Sequence, residues 1–234
     1  LSPILFIKIQ KNMKNKYLIN IITCIIFIGC SYDNYVQPES ILSGKVTYKN
    51  EPVSVRSNGT QLELWQDGYA LRAKIPVYIA QDGSYSAILS DGNYKIVRLS
   101  GAPWENQTDT ISVTVKGNTA LDIPVIPYFI VKNVTFQKTN NEITTKFVIE
   151  KISQTANLNL ARLYLGKTLF TDQNNNATIV TLNASSITIG QEVTIKATIP
   201  KSLESADYLF ARVGVQAKGV GELYYSVPQK IHLK

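Results

Sequence analysis

The stretch QDGSYSAILSDGNYKIVRL, residues 81–99, decides the fold. Two segments that alternate apolar and polar residues, SYSAIL and YKIVRL, are each introduced by an Asp-Gly pair. Gly and Asn adopt positive φ at little cost, so such pairs punctuate tight hairpins. A two-residue alternation is the period of a half-buried strand. The same pattern continues outward through LSGKVTY, QLELWQ and KIPVYIA on one side, and DTISVTV and ALDIPVI on the other. Further breaks stand at KNEP, residues 49–52, and KGNT, residues 116–119. Leu62 and Leu64 share one face of their segment, as do Ile111, Val113 and Val115 of theirs. No segment sustains a helical period, and an all-β sandwich is expected.

A second run of strands follows IPVIPYFIVKNV, residues 123–134: TTKFVIEKI, LNLARLYLGK, QEVTIKATI, YLFARVGVQAKG and LYYSVPQKIHLK. Pro124 and Pro127 cannot donate to a ladder and so forbid one uninterrupted central strand. A domain boundary near Pro127 follows, giving sandwiches over residues 41–127 and 128–234. The order SGKVTYKNEPV (43–53), QDGSYSAIL, DGNYKIVRL and ISVTVKGNTALDIPV (111–125) resembles a carboxypeptidase regulatory-like, transthyretin-type sandwich. Gly44, Gly83, Gly92, Tyr85 and Tyr94 stand at that family's turn and strand positions. The segment YLFARVGVQAKGVGELYYS, with Arg212 between Ala211 and Val213, resembles the last hairpin of an immunoglobulin or fibronectin type III sandwich. These likenesses imply folds and no catalysis.

The chain of 234 residues is 44% hydrophobic and 18% charged, an ordinary globular composition. Its net charge of +7 is partly local, because Lys8, Lys11, Lys14 and Lys16 precede Cys30 and no acid does. Without that segment 20 basic residues face 17 acidic ones. No basic stripe interleaved with aromatics remains, so no nucleic-acid partner is expected. After Met13 come Lys14 and Lys16, then YLINIITCIIFIG, residues 17–29. A basic start, an apolar run of this length and a small residue at the break are the parts of a secretory signal peptide. The run is short for a bilayer span, which needs about 20 residues. FIGC, residues 27–30, resembles the bacterial lipobox, although Phe27 replaces the usual Leu. By that resemblance residues 1–29 are an upstream extension and lipoprotein signal peptide, and Cys30 becomes the lipidated first residue. SYDNYVQPES then completes a tether over residues 30–40, and the membrane becomes a partner through the lipid. Cys24 would be lost with the leader, leaving the mature chain no thiol for catalysis or a disulfide.

The lipobox, the first sandwich with NGTQLELWQDGY (58–69), the VIPYF junction and the second sandwich together resemble an uncharacterised two-domain lipoprotein family, domain of unknown function 3823. That family is associated with polysaccharide-utilisation loci. The resemblance implies an outer-membrane, surface-exposed accessory of glycan capture, with polysaccharide and outer-membrane glycan-import proteins as partners. A docking scaffold without sugar affinity is the alternative. The residues themselves nominate aromatic platforms: Trp65, Tyr69 and Trp104, since aromatic faces stack on the C–H-rich faces of sugars. No catalytic residue, metal or cofactor is expected. His232, the one histidine, stands two residues from the C-terminus; a triad or metal site needs an imidazole held by a second group in a pocket, and an exposed histidine at a strand end is expected instead. Asp67, Asp82, Asp91, Glu105 and Asp109 are available carboxylates, several of them in turns where they cap backbone. TDQNNNAT, residues 171–178, is a candidate calcium loop whose spacing does not match an EF-hand.

Overall fold

Alternation and turn chemistry are realised as strands throughout the computed structural model, which describes residues 37–68 and 73–234. Residues 1–29, read from sequence as a leader, lie outside the described residues, as do Cys30 and Tyr69. Residues Pro38–Lys234 form one unit containing two consecutive β-sandwiches.

In the first sandwich one sheet is centred on β1 (Ser40–Tyr48), which pairs antiparallel with β2 (Glu51–Pro52) and β5 (Ser84–Leu89) and parallel with β8 (Asn118–Ala120) and β9 (Ile123–Pro124). The facing sheet runs β4-β3-β6-β7, from β3 (Gln61–Gln66), β4 (Lys74–Tyr78), β6 (Gly92–Arg98) and β7 (Ile111–Val115). Leu42, Val46, Leu62, Leu64, Tyr94 and Ile96 meet between the sheets. Pro76 occupies edge strand β4, the place in a sheet where proline is tolerated. Gly44 is required because a Cβ there would lie 1.8 Å from the carbonyl oxygen of Leu121, between β8 and β9.

The second sandwich packs β10 (Phe129–Thr139), β11 (Glu142–Lys151) and β14 (Glu192–Thr198) against a sheet of β12 (Leu158–Gly166), β13 (Thr178–Asn183), β15 (Tyr208–Ala217), β16 (Tyr224–Tyr225) and β17 (Gln229–His232). Phe147, Ile149, Leu163, Leu165, Val213 and Val215 fill its centre. Several elements differ from the sequence expectation. Strand β10 begins inside the segment read as the junction, two residues after Pro127, and runs for 11 residues. Strand β13, TIVTLN, was not expected, since adjacent Ile179 and Val180 break the alternation and it follows a run of asparagines; it is an edge strand whose outer side, Ile179 included, faces water. A single helical turn, α1 (Lys201–Glu204), buries Leu203 ahead of β15.

A candidate ligand groove at the seam of the sandwiches

A buried cation stands at the centre of the seam. On β15 the odd-numbered side chains enter the second core, which turns Arg212 and Gly214 to the opposite face, toward the first sandwich. Arg212 is fully buried. Its Nε donates to the carbonyl of Ser226 (2.8 Å), and Nη2 donates to Val55 O (2.8 Å) and Ser54 Oγ (3.0 Å) of the first sandwich. The guanidinium lies 4.3 Å from the ring centroid of Tyr225. Burial pulls its pKa down to about 10, so it stays charged at neutral pH. Gly214 leaves room for Leu223, Tyr164 and Tyr225, each within about 3 Å of where a Cβ would stand. Around this centre Tyr225 N donates to Ser54 O (3.1 Å), and Gln81 Nε2 donates to Leu169 O (2.9 Å). Arg56 grips Glu222 through both Nε (2.8 Å) and Nη2 (2.6 Å).

Beside the lock runs a groove to which both sandwiches contribute. Its deeper part, about 270 Å³, is lined by Tyr48, Lys49, Glu51, Lys132, Glu150 and Tyr224, among others. A neighbouring part of about 460 Å³ shares Pro52, Val131 and Tyr224 and is extended by Asn133, Phe136 and Val227. Three local features build it. First, the β1–β2 hairpin turns through Lys49 and Asn50, both at positive φ (51° and 66°), with Tyr48 paired to Glu51. This is the two-residue I′ turn that twisted hairpins favour, and it places Lys49 and Glu51 on the rim. Second, β10 carries a bulge between Lys132 and Thr135, with Asn133 at φ 53°, which bends an edge strand toward the groove. Third, Tyr224 and Tyr225 are consecutive in a strand and point to opposite faces, so Tyr224 joins the groove and the first core while Tyr225 joins Arg212.

The charges in the groove are mixed. Lys132 pairs with Glu150 at 2.9 Å. Lys49 lies 5.3 Å from the ring centroid of Tyr48. The phenol of Tyr224 is pushed above its ordinary pKa by burial and then by the Glu51 carboxylate, and it stays a neutral donor. Two rings, two carboxylates and two ammonium groups therefore border one space. Such a set can stack on an apolar ring face and exchange hydrogen bonds with hydroxyls in both directions.

The residues nominated by sequence are not brought together. Trp104 is 1% exposed and belongs to the core of the first sandwich, its segment bridging Pro127 of the junction. It is a packing residue and offers no face to a ligand, which corrects its nomination. The loop assignment concealed this, because an irregular segment covering an open sandwich end has no periodicity to reveal its burial. Trp65 is half-buried on β3, opposite Lys74 and Lys95 and apart from the groove. Tyr69 falls outside the described residues. Asp172 of the candidate calcium loop accepts the backbone N–H groups of Asn174 (2.8 Å) and Asn175 (3.0 Å), so its carboxylate organises its own loop. Among the described residues no group of three or more His, Cys, Asp or Glu is placed to hold a metal ion. Of the five turn and loop carboxylates, Asp67 pairs with Lys95, Asp109 with Arg98, Asp82 accepts from Ser84 and Asp91 from Ser40. The groove residues Tyr48, Glu51 and Tyr224 were not nominated. KNEP marked the turn, but nothing local says that this turn faces a tyrosine far along the chain.

Fold and groove define a class: a pair of β-sandwiches locked at a seam that carries a ligand-sized groove. The chain belongs to the DUF3823 family, matching the family's N-terminal domain, a protein of unknown function, over residues 40–126 and its C-terminal domain, a domain of unknown function, over residues 129–230. A DUF3823 family protein from Bacteroides ovatus is 46% identical, with a TM-score of 0.79 over 83% of this chain and 100% of that one. Another from Parabacteroides merdae is 34% identical, with a TM-score of 0.78 over 84% and 100%. A Bacteroides uniformis protein, provisionally named as carbohydrate binding, shares the fold at 20% identity, with a TM-score of 0.72 over 84% and 100%. No protein of curated function matches the chain.

Proposed function

We propose that this protein is a non-enzymatic accessory of glycan capture, anchored in the outer membrane through lipidated Cys30, that holds polysaccharide in the seam groove close to the glycan importers of the cell surface. The observation that carries the reading is the convergence of Tyr48 and Tyr224 with Lys49, Glu51, Lys132 and Glu150 on one groove built from both sandwiches. Sugar sites combine a ring for stacking with a few groups that sort hydroxyls. The provisional name of the Bacteroides uniformis protein points the same way, and FIGC supports the anchor.

The test is affinity electrophoresis and calorimetry of the chain from Ser31 onward, which keeps the whole unit Pro38–Lys234, against xylan, pullulan, laminarin and mixed-linkage β-glucan. At least one polymer is expected to retard the protein, and Tyr224→Ala to weaken that binding about tenfold or more. Binding unaffected by Tyr48→Ala and Tyr224→Ala would move the site elsewhere. Release of reducing ends by the wild type would make the groove carboxylates catalytic and end the non-enzymatic reading. A docking role is the second reading, favoured by the exposed cross-strand pair Ile41 and Ile88. It predicts no sugar affinity and co-purification with an outer-membrane complex.

A further inference from the structure

The β1–β2 hairpin that forms one wall of the seam groove has a second side. There Asn50 borders an open depression of about 790 Å³ on the outer face of the sheet built around β1 and β5. Pro52 lines both spaces, so they adjoin at the hairpin, with Lys49 and Glu51 on one side and Asn50 on the other. Strand alternation decides what this face presents. Leu42 and Val46 of β1 and Tyr85 and Leu89 of β5 go to the core, which leaves Ser43, Lys45, Ser84 and Ser86 on the outside, with the exposed pair Ile41 and Ile88 at the far end of the same face. At the end of β4, Tyr78 stands over the same depression, 50% exposed. The side chains of Ser43, Ser86 and Lys45 make no hydrogen bond within the described chain, and Asp122 uses one oxygen to accept Lys45 N (2.8 Å). An open ring surrounded by unspent donors and acceptors is chemistry suited to a hydroxylated, extended ligand. The deeper part of the seam groove, about 270 Å³, is by contrast no larger than the smallest small-molecule sites.

We propose that the two spaces form one track for an extended glycan chain: the seam groove holds one end or a branch unit, and Tyr78 is the platform for units that continue over the open face. This rests on the glycan reading of the seam groove and sharpens it, extending the site beyond the seam so that several consecutive sugar units are held. Affinity then grows with chain length until the open face is filled.

The experiment compares xylan, pullulan, laminarin and mixed-linkage β-glucan with the disaccharide and hexasaccharide cut from each, by calorimetry on the chain from Ser31. The hexasaccharide and polymer of a bound glycan are expected to bind about tenfold more tightly than its disaccharide. Tyr78→Ala is expected to erase that advantage and leave disaccharide affinity unchanged, whereas Tyr224→Ala weakens all lengths together. Ser86→Arg, an exposed change that obstructs the face without entering the core, is expected to act as Tyr78→Ala does. Equal affinity at every length, or a polymer affinity indifferent to both Tyr78→Ala and Ser86→Arg, would overturn the track and leave the seam site standing. Failure of every probe to bind would remove the glycan reading and the track with it.

Discussion

Trp104 shows how a single residue changes meaning with its surroundings. In SGAPWENQ it stands among loop-forming residues, and an aromatic in a loop invites a ligand; in the fold its ring fills the end of the first core, 1% exposed. Truncating a buried Trp removes a large apolar area and leaves a cavity, a loss of about 3–5 kcal/mol. Trp104→Ala is therefore expected to lower the urea midpoint strongly. Its polysaccharide affinity, measured well below its own melting temperature, is expected to equal that of the wild type. A selective loss of binding in a stably folded Trp104→Ala protein would return Trp104 to the site. Trp65 differs, because alternation with Leu64 already turned it away from the core, and half-burial between Lys74 and Lys95 leaves part of its ring open.

At the scale of the element, two strand glycines carry constraints that no turn explains. Gly44 lies in β1 where the parallel returns of β8 and β9 pass closest, and a Cβ would strike the Leu121 carbonyl. Backbone cannot rotate away as a side chain can. Gly214 lies in β15 beneath Leu223, Tyr164 and Tyr225, where a Cβ would meet side-chain atoms at 2.9–3.0 Å, and side chains yield by a few tenths of an ångström. Gly214→Ala is expected to cost about 1–3 kcal/mol, the usual range for overpacking. Gly44→Ala is expected to cost more and to reduce the folded yield. Thermal melts of the two variants check the order, and a Gly44→Ala protein as stable as the wild type would contradict the close passage of the chain. The β10 bulge and the I′ turn belong to this scale as well, since each uses residues at positive φ to aim a strand at the groove.

At the scale of the molecule, hydrogen bonds and an ion pair at the seam connect the two sandwiches across the junction at Pro127. The partners are far apart in the chain: Arg212 reaches Ser54 across 158 positions, and Arg56 reaches Glu222 across 166. A buried donor that loses its acceptors, or acceptors that lose their donor, costs about 1–3 kcal/mol for each group left unpaired. Arg212→Ala strands the carbonyls of Ser226 and Val55 together and opens a cavity under Tyr225. The wild type is expected to unfold in a single calorimetric transition, and Arg212→Ala to separate it into two and to weaken glycan binding, because the groove needs both walls. Two transitions in the wild type, or one unchanged transition in the variant, would show that the lock does not couple the sandwiches.

The amino-acid sequence by itself determined the all-β class and most of the strands, because alternation and Gly or Asn at turns are local preferences written over a few neighbouring residues. QDGSYSAILSDGNYKIVRL shows its own pattern for β5, a turn and β6, but the Asp-Gly turn between them crosses from one sheet to the other and closes no hairpin, since β5 pairs with β1 and β6 with β3 and β7. Edge strand β13 escaped that pattern, since Ile179 and Val180 stand side by side in TIVTLN and Ile179 is on the wetted side, so no apolar–polar alternation announces it. Only the tertiary structure decided that Arg212, an apparent interruption in an apolar strand, is the centre of the seam, and that Tyr48, Glu51 and Tyr224 share one groove. Those outcomes depend on which face of one sandwich meets which loop of the other. Contacts between groups more than a hundred residues apart leave no periodicity in the chain, and they are fixed only when both cores have closed.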